Sequence, residues 1–226
     1  MSTPEEAVEG ARERLLAEIA AEYRDTARWT GRAEISPQVR AALLKVPREA
    51  FLDENRAGLA YANIPLPIGH GQTISQPYIV AIMTDLLDLT PDDAVLEVGT
   101  GCGYQAAVLG ELAARVDTIE VVPELAERAR QRLAALGYTN VAVHQGDGSK
   151  GWPEHAPYDG IIVTAAARRI PPALLAQLKP GGRMVLPVGE PWMTQELTLV
   201  TKDADGRVRE RSLIPVAFVP LVEAEA

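Results

Sequence analysis

The sequence predicts an α/β fold: a doubly wound, mostly parallel Rossmann-like sheet, preceded by N-terminal helices and closed by a C-terminal antiparallel strand pair. Three observations predict it. From Ala94 onward, short apolar runs alternate with segments of helical periodicity. The first run, AVLEV, leads into a glycine loop, GTGCGYQ, that opens a helix. Two strand-like runs near the C-terminus flank Asp203-Ala204-Asp205-Gly206, a turn signal.

The elements follow in order. AVEGARERLLAEIAAEY spaces its apolar residues as a helix does, and that helix should end before Trp29-Thr30-Gly31. A second helix is expected over Pro37 to Lys45, with Ser36 as N-cap, stopped by Val46-Pro47 because the residue before proline avoids helical dihedrals. Gly69 to Val80, GHGQTISQPYIV, reads as a polar loop that passes at Ser75 or Gln76 into a helix through IVAIMTDLLDL. Then come strand AVLEV, the glycine loop and helix AAVLGELAA. Strand VDTIEVV precedes helix PELAERARQRLAALG, with Gly137 as its cap, and strand VAVHQGD follows. Strand DGIIVTAA, helix PPALLAQL, a KPGG turn and strand GRMVLPVG complete the alternation. ELTLVTK and RVRERSLIPVAFVPL form the edge pair. The expectation is a single domain over 1–226: helices and a substrate loop in 1–90, the cofactor-binding core in 91–190, and the strand pair in 191–226.

Composition narrows the function. Apolar residues make up 47% of 226 residues, enough for a core. A net charge of −9 without a Lys/Arg cluster argues against a nucleic-acid partner, since phosphate binding needs a basic face. No apolar run approaches a membrane span, the acidic MSTPEEAVEG is no secretory signal, and the single Cys102 makes no intrachain disulfide. A cytoplasmic monomer without membrane contact is expected, and no metal site.

Gly99, Gly101 and Gly103 allow a backbone to approach a ligand closely at a helix N-terminus. Glu120 ends the second core strand, about 20 residues on, where an acid can accept from both ribose hydroxyls. Asp147-Gly148 ends the third, on the same edge of the sheet. The spacing G-x-G-x-G, with Tyr104 where dinucleotide sites have a third small residue, departs from the pyrophosphate fingerprint, and no G-K-[ST] is present. Acids after strands one, two and three fit S-adenosylmethionine, whose sulfonium and amino acid tail suit glycine backbone and Glu97. Each residue also has a purely structural use: the glycines as a tight turn, Asp147 as a turn former, Cys102 as loop filler. Ser75, ahead of Gln76-Pro77 and an apolar helix, serves equally well as an N-cap.

Ala57 to Thr84 contains no Asp, Glu, Lys or Arg, yet holds the hydroxyls of Thr73 and Ser75. With VPREAFL (Val46 to Leu52), NIPLPIGHGQTISQPY (Asn63 to Tyr78), VLEVGTGCGYQAAVL (Val95 to Leu109), GDG (Gly146 to Gly148), PYDGIIVTAA (Pro157 to Ala166), LKPGGRMVLPVG (Leu178 to Gly189) and FVPL (Phe218 to Leu221), the chain closely resembles the protein-L-isoaspartate O-methyltransferases. The match runs from about Ser36 to Leu221. It departs at His70, at Cys102, where serine is common, and over the first 35 residues.

The resemblance implies methyl transfer from S-adenosylmethionine to the α-carboxylate of L-isoaspartyl residues in proteins and peptides, which starts repair through a succinimide. It implies Ser75 as the active-site residue, with Thr73, Gln76, Thr164, Val219, Pro220 and Leu221 toward the substrate. It places Ile74, Glu97, Gly99, Thr100, Gly101, Cys102, Gly103, Glu120, Val121, Asp147 and Gly148 toward the cofactor. An uncharged loop suits this chemistry: neighbouring acids would repel the carboxylate, and a lysine would blunt its nucleophilicity. Two other readings stay open. One is a paralogue that methylates aspartate in one dedicated peptide; the other is a cofactor-binding module without catalysis.

Overall fold

The computed structural model describes residues 4–190 and 193–222, so the ends of the 1–90 and 191–226 segments and residues 191–192 lie outside the described residues. Helices α1 (Pro4–Thr30) and α2 (Pro37–Lys45) come first, and a hairpin of β1 (Leu66–Gly69) and β2 (Gln72–Ile74) leads into α3 (Pro77–Leu87). The core continues β3 (Ala94–Val98), α4 (Tyr104–Gly110), β4 (Arg115–Glu120), α5 (Pro123–Ala135), β5 (Val141–Gln145), β6 (Tyr158–Val163), α6 (Pro172–Gln177) and β7 (Leu178–Val188). Strands β8 (Gln195–Lys202) and β9 (Val208–Val216) close the chain. The seven-stranded sheet has the order β5-β4-β3-β6-β7-β8-β9. Strands β3 to β7 pair in parallel; β8 and β9 are antiparallel.

Chain direction across the sheet reverses between β3 and β6. Ligands of open α/β sheets bind at the carboxyl ends of the strands at such a point. One sheet face carries Val95, Val116, Ile162 and Val185, packed with residues of α1 to α5. The other carries Leu96, Val98, Ile119, Ile161 and Met184, covered by Leu174 of α6 and by Trp152 and Ala156 of the β5–β6 connection.

Local expectations hold where local forces decide. Ser36 Oγ accepts from Val39 N at 3.3 Å, and Val46 leaves the helix with ψ 114°. Gly137 lies one residue past the α5 C-cap Leu136, in the left-handed region at φ 83°.

Four boundaries differ. α1 runs through Trp29 and Thr30 to the left-handed Gly31, because Thr30 is buried and Arg211 of β9 donates to the carbonyls of both residues. α4 stops at Gly110, where Val141 and Tyr138 crowd the helix. The predicted KPGG turn is a bulge inside β7: Tyr158 faces Leu178, but Gly160 already faces Arg183. Within the expected polar loop, β1 and β2 pair around Gly69-His70-Gly71, with His70 at φ 53°.

Candidate active site

The glycine loop is stitched to the end of β4. Gly99 N and Thr100 N both donate to Ile119 O, at 2.8 and 3.1 Å, and Gly101 N donates to Glu120 Oε2 at 2.8 Å. Gly99 sits at φ 98°, and a Cβ there would lie closer than 3.0 Å to Thr164 Oγ1. That hydroxyl donates to Gly99 O at 2.7 Å, so the loop and the end of β6 can meet only through a glycine.

Glu97 is fully buried at the end of β3. Thr118 Oγ1 donates to its Oε2 at 2.6 Å and lies 2.6 Å from Thr100 Oγ1, while Glu97 Oε1 has no partner. Burial, with a smaller contribution from the Glu120 charge, pushes the Glu97 carboxyl up to about 8. An orphaned acceptor on a buried acid is costly unless a cation or donor meets it. Glu120 is better satisfied: besides Gly101 N, Val122 N donates to its Oε1 at 3.0 Å. Lone pairs remain on both oxygens for hydroxyl donors.

The substrate loop is held from below by two charged residues. Arg48 is fully buried and lies over the Tyr104 ring, 4.8 Å from its centroid. Its Nη2 donates to Ser75 O at 2.8 Å, while Nε and Nη1 have no partner and no carboxylate pairs with it among the described residues. Burial pulls its guanidinium down from the ordinary value. From α1, Glu22 Oε1 accepts from Asn63 Nδ2 at 2.6 Å and Gln76 Nε2 at 2.9 Å, and its carboxyl is raised by burial. Asn63 Oδ1 in turn receives Tyr78 N. α3 starts at Pro77 with Gln76 as N-cap. Ser75 is therefore not the cap, and its carbonyl makes its one hydrogen bond among the described residues.

Three adjoining hollows meet at Thr73 and Thr164. The first lies between Gly99, Gly101, Glu120, Val121, Gly148 and the strap Val219–Val222. The second, about 980 Å³, is an open groove bounded by Ser75, Gln76, Ile79 and Pro215 to Val219. The third, about 290 Å³, joins Ile74 and Ser75 to Glu97, Thr100, Gly101 and Cys102. The strap is fixed by Ala166 N donating to Val219 O and Leu221 N donating to Ala166 O, both at 2.8 Å.

Most residues singled out from the sequence therefore converge, with three differences. Gly103 lines none of these hollows; its αL backbone starts α4, and a side chain there would meet Leu133 and Ala129. The Asp147 side chain serves its own turn, accepting from Ser149 N and Ser149 Oγ at 3.0 and 2.7 Å, and leaves Gly148 at the cleft. Pro220 and Leu221 roof the first hollow rather than the open groove, where only Val219 reaches both. Arg48, Glu22, Asn63 and Gln72 escape sequence reasoning. Arg48 and Glu22 lie outside the uncharged loop and give no hint that they support it, although Arg48 lies in the VPREAFL segment; Asn63 and Gln72 lie within the NIPLPIGHGQTISQPY segment, but nothing in it singles them out. No metal site is expected from the sequence, yet Asp117, His144 and His155 meet away from this cleft.

A family model described as protein-L-isoaspartate(D-aspartate) O-methyltransferase matches residues 28–226. Protein-L-isoaspartate O-methyltransferase 2 of Polaromonas sp. is 58% identical over 207 residues, covering 92% of this chain and 98% of that one. A solved protein-L-isoaspartate O-methyltransferase superposes with a TM-score of 0.79 at 30% identity, over 92% of this chain and 65% of the longer solved one. A Plasmodium falciparum structure, solved with S-adenosyl-L-homocysteine, shares the fold at a TM-score of 0.74 and 23% identity, over 92% of this chain and 98% of that one.

Proposed function

The chain belongs to the protein-L-isoaspartate(D-aspartate) O-methyltransferase family, and from that premise we propose how its residues transfer a methyl group from S-adenosylmethionine to the α-carboxylate of an L-isoaspartyl residue. The ester so formed leads back to aspartate through a succinimide, so the activity is protein repair.

S-adenosylmethionine, when bound, supplies an electrophilic methyl on a sulfonium sulfur. The orphaned Glu97 Oε1 fits the cofactor's ammonium group, and Glu120 fits its ribose hydroxyls. Gly99, Gly101, Val121 and Gly148 bring backbone to the first hollow. Thr100 reaches Glu97 through Thr118, and Ile74 and Cys102 wall the hollow that contains Glu97. Gly103 and Asp147 shape the two turns. Pro220 and Leu221 would cover the cofactor in the first hollow.

The observation that carries the mechanism is the meeting of the three hollows at Thr73 and Thr164, beside Ser75. A carboxylate with a pKa of roughly 3.5 is already ionised at neutral pH, so no residue need remove a proton. What remains is to hold an anion in line and exclude water. Ser75 is the donor to that anion: its hydroxyl is not used as a helix cap. Thr73 stands beside it, and Gln76, Thr164 and Val219 bound the groove. Arg48 holds Ser75 by its carbonyl and supplies positive potential to the loop without forming a tight ion pair with substrate.

We further propose that this protein is a cytoplasmic monomer that works on peptides and not on nucleic acid, and that it forms a single domain. Its charge of −9 supports this, and no described helix is long and apolar enough to cross a membrane. The test is methyl transfer to several unrelated peptides carrying L-isoaspartate, each beside its L-aspartyl twin. Methylation of the isoaspartyl members of all pairs is expected. Reaction with one peptide sequence only, or equal reaction with aspartate, would favour the dedicated-peptide alternative.

A further inference from the structure

The connection from β5 to β6 must cross from the edge of the sheet past β4 and β3, and it does so without an α-helix. Two single-turn 3₁₀ segments, Gly148–Lys150 and Pro153–His155, replace one. Under this connection lies Asp117 of β4, fully buried. Its Oδ1 faces His144 Nε2 of β5 at 2.8 Å and His155 Nδ1 of the connection at 2.8 Å. The His144 ring stacks on Trp152, with centroids 3.9 Å apart.

One detail points beyond a hydrogen-bonded clasp. Asp117 Oδ2 is buried and makes no hydrogen bond, its nearest ionic neighbour being Arg115 Nε at 3.3 Å. The three ligand atoms lie within 4.8 Å of one another. A tetrahedral zinc ion with bonds of about 2.1 Å sets its ligands roughly 3.4 Å apart, so small side-chain rotations suffice.

We propose that Asp117, His144 and His155 form a metal site for a zinc-class divalent ion, which pins the helix-free crossover to the sheet. Two imidazoles and one carboxylate, without thiolate, suit zinc or cobalt better than calcium or copper(I). Both rings would adopt the tautomer that turns a lone pair on His144 Nε2 and His155 Nδ1 toward the ion. His155 is 39% exposed, which gives the ion an entry path and leaves a fourth position for water. The site is structural: it joins β4, β5 and the connection between β5 and β6, and none of its three residues lines the hollows at the strand ends.

The test starts from the intact protein freed of metal by a chelator and titrated with zinc chloride by calorimetry. Binding of one zinc per chain is expected at micromolar or tighter affinity, with a melting temperature raised by about 5 °C or more at 100 times the dissociation constant. Cobalt chloride should give the strong visible absorption of a tetrahedral site, a readout that needs no variant. His155→Ala, at a half-exposed position that should fold, is expected to weaken zinc at least 100-fold. His70→Ala, which removes the remaining histidine of three, should change nothing. Absence of zinc binding, cobalt without tetrahedral absorption, or affinity that survives His155→Ala would overturn the proposal and leave a hydrogen-bonded clasp.

Discussion

Glu97 offers a prediction whose size follows from its surroundings. The side chain is fully buried with one orphaned oxygen, and burial raises its carboxyl from 4.5 to about 8. Between those values the folded protein keeps a proton that the unfolded chain gives up. Stability must therefore fall as pH rises through this window, by 1.36 kcal/mol per unit. The cost is absent below about pH 4.5, reaches about 3 kcal/mol at pH 7 and about 5 kcal/mol above pH 8. Glu97→Gln keeps the shape and the acceptor for Thr118 but cannot ionise. Urea unfolding from pH 5 to 8 should show the variant gaining on the wild type by about 1 kcal/mol per pH unit, whatever its offset. Cofactor binding should remove this pH dependence, because Glu97 would then be ionised in the bound and the unfolded states alike. If the ammonium group of S-adenosylmethionine pairs with an ionised Glu97, binding at pH 6.5 must expel about one proton per site. Calorimetry in two buffers of different ionisation enthalpy measures that number directly, and Glu97→Gln should bring it close to zero. A stability difference that stays flat from pH 5 to 8, together with binding that releases no proton, would refute both the buried neutral acid and its role toward the cofactor.

Other perturbations separate structural from functional roles. Glu120→Ala should weaken S-adenosylmethionine by about 1.5–3 kcal/mol in calorimetry, the range for a hydrogen bond to a charged group; unchanged affinity would remove Glu120 from the site. Ser75→Ala should slow isoaspartyl methylation and leave cofactor affinity and melting temperature nearly unchanged, because Ser75 does not occupy the N-cap position of α3. Ser75→Asp should nearly abolish methylation by placing a negative charge against the substrate anion, and wild-type turnover in that variant would show that the carboxylate binds elsewhere. Arg48→Met removes a buried charge that has no carboxylate partner, so the melting temperature should hold or rise while methylation falls at least tenfold. Full activity in that variant would end its assignment to the loop. Gly99→Ala should cost about 2 kcal/mol or more in urea unfolding, since a Cβ at φ 98° also drives Thr164 off the loop carbonyls; an unchanged midpoint would mean the loop is free to move.

What the sequence by itself determines here rests on local causes. Ser36 with Pro37 starts a helix, Gly137 ends one, and the alternation from Ala94 fixes a parallel sheet, because caps, φ restrictions and periodicity act within a few residues. The glycine loop and Glu120 are legible for the same reason: one tight turn and one strand end bring them to the same edge. The tertiary structure alone decides how charge is compensated. No local feature says that Glu97 loses water entirely while Glu120 gains two backbone donors, or that Arg48 is buried beneath an uncharged loop without a carboxylate among the described residues. Nor does any local feature bring Glu22 to Asn63 and Gln76, or Asp117 to two histidines on other segments. The short hairpin around His70 and the bulge at Lys179 to Gly182 escape prediction because their extended backbone is stabilised by pairing partners, not by their own propensities. Desolvation and long-range pairing depend on everything packed around a group, so only the folded chain sets them.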